Sequence, residues 1–209
     1  MDDHVVITLF RHGLTEDNKR QAYLGWTDSP LVPGQVFPEV LVSYQQIYTS
    51  DLRRCRETAE ALFPGRVPVK MEEFREMNFG EWEGRTYEQL KAKPLYQKWL
   101  ADPFAAVPPH GESFSEFARR VESGWSKITR EILENGIKTS AIVTHGGVIR
   151  YLLTQYGSEE KSFWDWRIPH GHGYDFIWKI EGLRRGERCT LLQEVPFMEK
   201  QNGSRSNIG

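Results

Sequence analysis

The stretch HVVITLFRHG, residues 4–13, runs from β-branched and apolar residues straight into an arginine, a histidine and a glycine. A short continuous run of Val, Ile, Leu and Phe reads as a strand buried on both faces, which belongs to a parallel sheet covered by helices. Arg11 and His12 are costly to bury, and Gly13 is a poor strand residue. Such a change of chemistry at a strand's end marks a site. TSAIVTHGG, residues 139–147, repeats the pattern, with a buried strand running into His145, Gly146 and Gly147. In open α/β sheets, ligands bind beyond the carboxyl ends of the strands. If these two strands are adjacent, two histidines meet at one edge.

Outward from these strands the chain alternates. QQIYTS reads as a second strand, followed by the helix LRRCRETAEALF with Ser50 or Asp51 as its cap. VPVKM is a short strand, and EEFREMNFGEWEGRTY a structured loop without a clean period. TYEQLKAK and LYQKWLADPF are short helical pieces broken by Pro94 and Pro103. The longest helical pattern follows, with Phe117, Val121, Trp125, Ile128 and Ile132 on one face and Gly136 as its stop. GVIRYLLTQYG is a helix, and YDFIWKI and CTLLQEV are closing strands, read as a hairpin. The alternation predicts a three-layer α/β/α sandwich with a mainly parallel central sheet. A single domain is expected over 1–196, with a helical lid insertion at about 86–110 and a polar, disordered tail at 197–209.

Composition narrows the function. The 209 residues carry 27 Lys and Arg against 29 Asp and Glu, a net charge of −2. That balance makes no electrostatic case for nucleic acid or a membrane surface. Cys55 and Cys189 form neither a metal-type pair nor a disulfide framework, which fits a reducing cytoplasm. The N-terminus lacks a basic region followed by a long apolar run, so no secretory signal is read.

Arg11 follows the first strand, and Arg53 or Arg54 lies at a helix N-terminus after the second. His145 sits at another helix N-terminus, beside the amides of Gly146 and Gly147. Guanidinium forks, helix N-termini and glycine amides together suit a tetrahedral dianion, with phosphate the obvious candidate. A partly neutral imidazole is a competent nucleophile toward it, and a carboxylic acid must protonate the leaving oxygen. Glu76, Glu81 and Glu83 in the long loop all qualify.

These motifs together are identified as those of the histidine phosphatase superfamily, the phosphoglycerate mutase-like family. LFRHGLTEDN, TSDLRRCRETAEAL, REMNFGEWEG, HGES and AIVTHGGVIR resemble five of its segments in the family's order, over residues 7–150. The resemblance implies that His12 is the nucleophile and becomes phosphohistidine. It implies that Arg11, Arg54 and His145 surround the phosphoryl group and that Glu76 is the general acid and then the base. Asn18 donates to a phosphate oxygen, Thr15 fixes the loop, and Gly146 adds a backbone N–H. Arg53 is left solvated or salt-bridged.

No metal or cofactor is required on this reading, because guanidinium and imidazolium groups neutralise the charge. The partner expected is a small phosphorylated metabolite, with no nucleic acid or membrane partner, and the chain is a monomer or homodimer. Family mutases hold a substrate carboxylate with an arginine pair after the acid; residues 86–113 contain no arginine. A phosphatase is therefore favoured over a cofactor-dependent phosphoglycerate mutase or a non-catalytic phospho-ligand-binding member.

Two departures stand out. The segment 31–43 is shorter than the family's helix there and carries Pro33 and Pro38, so it is expected to be irregular. Cys55 replaces the usual alanine and reads as a small buried residue.

Trp26, Phe79, Trp82, Phe104, Phe163, Trp164 and Trp166 either line a pocket mouth, favouring apolar phosphomonoesters, or fill satellite cores. Neither cysteine is followed by arginine at the Cys-x5-Arg spacing, and no phosphate-binding GxxxxGK[ST] loop is present. His170 and His172 lack a third metal ligand at suggestive spacing and read as a turn, with one of them near the pocket rim.

Overall fold

The computed structural model describes residues 3–37, 40, 42–170 and 172–196. The expected polar tail at 197–209 lies outside the described residues, as do Pro38, Glu39 and Leu41 of the shortened segment. In chain order the elements are β1 (His4–Arg11), α1 (Glu16–Lys19), β2 (Gln46–Ser50), α2 (Arg53–Leu62), β3 (Val69–Met71), α3 (Tyr87–Leu90) and α4 (Pro94–Ala101). There follow α5 (Phe114–Asn135), β4 (Thr139–Thr144), α6 (Gly146–Tyr156), β5 (His172–Lys179), α7 (Ile180–Arg184) and β6 (Leu191–Pro196).

The strands form one sheet in the order β3-β2-β4-β1-β5-β6. β3, β2, β4 and β1 are mutually parallel, while β5 is antiparallel to β1 and β6 to β5. The two decisive strands are therefore neighbours, with Arg11 opposite Thr144.

Period-two alternation sends β1 into two cores. Val5, Ile7 and Leu9 pack with Ile142, Phe176, Trp178 and the α5 stripe from Phe117 to Ile132. Phe10 turns to the other face, against Ala141, Val143 and Cys55, Ala59 and Leu62 of α2. Helices thus cover both sides, giving the expected three layers.

Local signals explain most boundaries. Ser113 caps α5 in a capping box with Glu116, and Gly136 closes it in the left-handed conformation at φ 64°. The helix α2 departs from expectation. Leu52 occupies its N-cap without a side-chain bond, because Ser50 reaches His145 and Asp51 is drawn into an ion pair with Arg75. Pro94 opens α4 rather than breaking it, since a first-turn residue needs no N–H. Among the described residues of 31–43 there is no helix. Gln35 instead accepts from the Leu14 N–H at 2.7 Å and donates to the Leu14 carbonyl at 2.8 Å, tying this irregular stretch to the loop after β1.

The helices α3 and α4 carry a third, smaller core of Trp82, Leu90, Tyr96 and Trp99. On the α5 side, the helix approaches the 3₁₀ turn Glu72–Phe74 at Gly124, where a Cβ would lie 2.7 Å from Glu73 Cβ and 3.2 Å from the Phe74 ring.

Helix propensity alone favours Gly124→Ala by about 1 kcal/mol. Crowding against that turn reverses the sign, so the substitution is expected to destabilise by about 1–3 kcal/mol. A urea midpoint that rises instead would show that the turn gives way easily.

Candidate active site

β1 and β4 end side by side, and each hands its next residue to the same edge of the sheet. His12 and His145 face one another there, with ring centroids 5.1 Å apart and planes at 63°. The His12 N–H donates to the Thr144 carbonyl at 3.0 Å, which locks the end of β1 to the end of β4. His12 Nδ1 lies 2.7 Å from the Gly13 carbonyl. A carbonyl only accepts, so the proton sits on Nδ1 and the lone pair on Nε2. His145 Nε2 lies 2.9 Å from Ser50 Oγ at the end of β2 and 3.4 Å from Cys55 Sγ. Both histidines are buried. Burial first, and then the charge of Arg54, holds both pKa values well below the ordinary value. Both rings are therefore neutral at pH 7.

Arg54, in the first turn of α2, is fully buried and donates to the carbonyls of Thr27 at 3.0 Å and Gly25 at 2.6 Å. Its nearest carboxylate, Asp28, stands 3.8 Å away. Arg11 donates to the Ile168 carbonyl. Desolvation pulls Arg11 down to about 10, so it remains protonated at pH 7. The Nε of each guanidinium is buried without a hydrogen-bond partner among the described residues. Two buried cations with unspent donors and no carboxylate bonded to either fit an anion. Arg53, one residue away, points outward and pairs with Glu57 at 2.6 Å. Cys55 is buried beside His145, and desolvation pushes its thiol pKa up, which makes it unreactive.

Of the three candidate glutamates, Glu76, Glu81 and Glu83, Glu76 is the one that borders this site. Its Oε1 accepts from the Met77 N–H and its Oε2 from the Gly147 N–H, each at 2.9 Å. A side chain at position 147 would collide with that carboxylate, so the glycine is required by close approach. Glu83 spends its oxygens on the N–H groups of Trp26, Thr27 and Phe79, and Glu81 pairs with exposed His110. Thr15 caps α1 and its hydroxyl donates to Asn18 Oδ1 at 2.9 Å. That contact leaves the Asn18 amide NH₂ to donate elsewhere. Gly146 lies against Arg11, where a Cβ would sit 3.4 Å from the guanidinium carbon.

Beside Glu76 opens a cavity of about 630 Å³, walled by Tyr23, Phe79, Trp99, Phe104, Phe163 and Trp164. Glu76, Gly147 and Arg150 also line it, and Gly147 stands two residues after His145. The two readings of the loop aromatics therefore divide residue by residue. Phe79, Phe104 and Trp164 line the cavity, Phe163 both lines it and belongs to the main core, and Trp82 and Trp166 are buried in cores. Trp26 lies beneath the guanidiniums of Arg75 and Arg120 and donates to the Glu76 carbonyl at 2.8 Å.

Sequence reasoning missed Arg120. From α5 it donates to the carbonyls of Glu73, Arg75 and Glu76 and pairs with Glu112 at 2.7 Å. It thereby pins the backbone that presents Glu76. Its partner lay in the HGES motif, but a single arginine on a solvated helix face carried no signal. The sequence points to the Gly147 N–H as a donor but not to Glu76 as its acceptor. His170 reaches the site, with its ring centroid 5.6 Å from that of His12, while His172 is paired into β5 opposite Pro196. Among the described residues no helix is long and apolar enough to cross a membrane.

Comparisons with known proteins place the chain in a family. The family model described as the histidine phosphatase superfamily (branch 1) matches residues 7–183. The adenosylcobalamin/alpha-ribazole phosphatase of Salmonella typhimurium is 31% identical over 175 residues, covering 78% of this chain and 85% of that protein. Among solved structures, the alpha-ribazole phosphatase from Shigella flexneri superposes with a TM-score of 0.73 at 28% identity, covering 82% of this chain and 90% of that one. A phosphoglycerate mutase from Thermus thermophilus superposes with a TM-score of 0.65 at 30% identity, covering 91% of this chain and 99% of the other. With the family model spanning most of the chain, and with relatives of both phosphatase and mutase type, the protein belongs to the histidine phosphatase superfamily, branch 1.

Proposed function

We propose that this protein is a metal-independent phosphatase that hydrolyses small phosphomonoesters through a phosphohistidine at His12. The observation that carries the reading is the pair of buried guanidiniums, each with an unspent Nε–H, beside two neutral imidazoles. In the first step, the His12 Nε2 lone pair forms a bond to phosphorus as the ester P–O bond breaks. Glu76, in its acid form, gives its proton to the departing oxygen. Arg11, Arg54 and His145 receive the equatorial oxygens, and the Asn18 amide and the Gly146 N–H add donors. In the second step, Glu76 removes a proton from water, which attacks phosphorus in line, and the P–N bond breaks to restore His12 with inorganic phosphate released. Metal ions are dispensed with because the fixed cations supply the neutralisation. The helices α3 and α4 serve as a lid over the leaving group, and the stretch 86–113 offers no arginine pair to hold a mutase substrate's carboxylate.

The substrate proposed is a small phosphorylated metabolite whose alcohol is apolar or aromatic. The cavity's size lies within the range of small-molecule sites, and its walls are mostly rings. The Salmonella typhimurium relative carries the name of a phosphatase, which supports the hydrolytic reading.

Hydrolysis of p-nitrophenyl phosphate is expected to persist in excess EDTA, and His12→Ala is expected to lower it at least about a thousandfold. Activity that depends on added metal, or survives in that variant, contradicts the mechanism.

The lowered His12 pKa leaves its lone pair available well into the acid range, and kcat/KM declines only as pH falls through that lowered value. The acid limb, corrected for substrate ionisation, is therefore expected well below pH 6.5. A limb centred near the ordinary histidine value would mean that the ring titrates as if exposed.

The cavity yields a third expectation. Phe104 and Trp164 are half-exposed wall residues, so their removal spares the core. Together, Phe104→Ala and Trp164→Ala are expected to raise KM for 1-naphthyl phosphate by about tenfold, while glycerol 3-phosphate changes less than about twofold. Equal effects on the two substrates would show that these rings do not contact the leaving group.

A further inference from the structure

His170 is a buried-edge histidine that the family resemblance leaves without a role, and the mechanism above does not use it. It follows the segment Trp166–Ile168, whose main chain is tied down residue by residue. The Trp166 carbonyl accepts from Arg150 at 3.0 Å, the Arg167 carbonyl from the Tyr174 hydroxyl at 2.8 Å, and the Ile168 carbonyl from Arg11. Just beyond, Gly173 lets β5 press onto β1, since a Cβ there would lie 2.7 Å from the Leu9 carbonyl. This fixed track delivers the His170 ring to 5.6 Å from the His12 ring, at 60° to it, and places its Nδ1 3.2 Å from the His12 carbonyl.

We infer that His170 is a positioning residue for His12, donating its Nδ1–H to the His12 main-chain carbonyl and buttressing the nucleophilic ring. The inference rests on the phosphohistidine reading. The His12 residue is held at each of its polar groups: its N–H by Thr144, its Nδ1 by Gly13 and its carbonyl by His170. Only Nε2 is left to react. Because the acceptor is a carbonyl, His170 must carry its proton on Nδ1. Burial first, and then the Arg11 charge, push its pKa down to about 4, so the ring is neutral at pH 7 and adds no repulsion toward the two guanidiniums. Loss of the ring leaves a buried carbonyl unpaired and one face of the nucleophile unsupported. A displacement of about 1 Å at a reacting group costs on the order of a hundredfold in rate.

The test compares wild type, His170→Ala and His170→Asn by steady-state kinetics on p-nitrophenyl phosphate and by rapid-quench measurement of phosphoenzyme formation. His170→Ala is expected to lower kcat and the phosphorylation rate by about ten- to a hundredfold, with KM within about twofold. His170→Asn, whose amide reaches the same carbonyl, is expected to recover to within about threefold of wild type. Long-range 1H–15N spectra of the wild type are expected to show His170 as the Nδ1–H tautomer at neutral pH. The inference is overturned by an unchanged rate in His170→Ala, by a rise in KM alone, or by a folded His170→Asn as slow as the alanine variant. An Nε2–H tautomer overturns it as well, and that reading remains decisive even if the alanine variant fails to fold. A wild type that forms no phosphoenzyme would instead refute the catalytic reading itself, which keeps the two failures distinct.

Discussion

Two guanidinium groups held out of water at one end of a sheet set the terms for the rest of this structure. Arg11 and Arg54 lie among backbone carbonyls, Arg54 with Asp28 only at 3.8 Å, and the Nε–H of each is left unspent among the described residues. Burying a cation under those conditions is unfavourable by several kcal/mol unless an anion completes the shell. The stability of two packed cores offsets that cost. Burial, and then the same charges, keep His12 and His145 unprotonated, so on the proposed mechanism one arrangement both attracts a dianion and readies the atom that attacks it.

The fold positions these groups with few adjustable parts. Parallel pairing of β1 and β4 fixes the relation of His12 to His145, and the end of β2 supplies Ser50 to orient the second ring. Glu76, the proposed acid, comes from outside the sheet, on a loop whose regular structure is limited to 3₁₀ turns. Arg120 and Trp26 compensate for that irregularity by bonding to the loop's carbonyls, and the start of α6 clamps the Glu76 carboxylate itself. The site is thus rigid where the sheet carries it and braced by side chains where the loop does.

Most of the architecture was legible because it is written in periodicity. The runs at 4–10 and 139–144 are strands, the stripe from Phe117 to Ile132 faces the core, and Gly136 ends its helix. The strand ends also revealed which residues would meet. What escaped was long-range and polar. The cap of α2 could not be read, since Ser50 and Asp51 are claimed by partners 95 and 24 residues away. Arg120 looked like an ordinary surface charge because its acceptors are main-chain carbonyls, which carry no sequence signature. The aromatic residues were ambiguous for a related reason, as composition cannot say whether a ring faces a cavity or a satellite core.

Because β5 runs antiparallel to β1, its leading segment arrives at the very edge where the parallel strands terminate. The Ile168 carbonyl and His170 therefore join a cluster begun at residue 11, some 157 positions earlier in the chain. A ribosome releases that cluster's members in order, N-terminal first. During translation the early arginine and histidine wait, unshielded, until nearly the whole domain has emerged. On the proposed mechanism, catalytic competence is consequently a late event in the life of the nascent chain, and turnover itself would report that the last strands have docked.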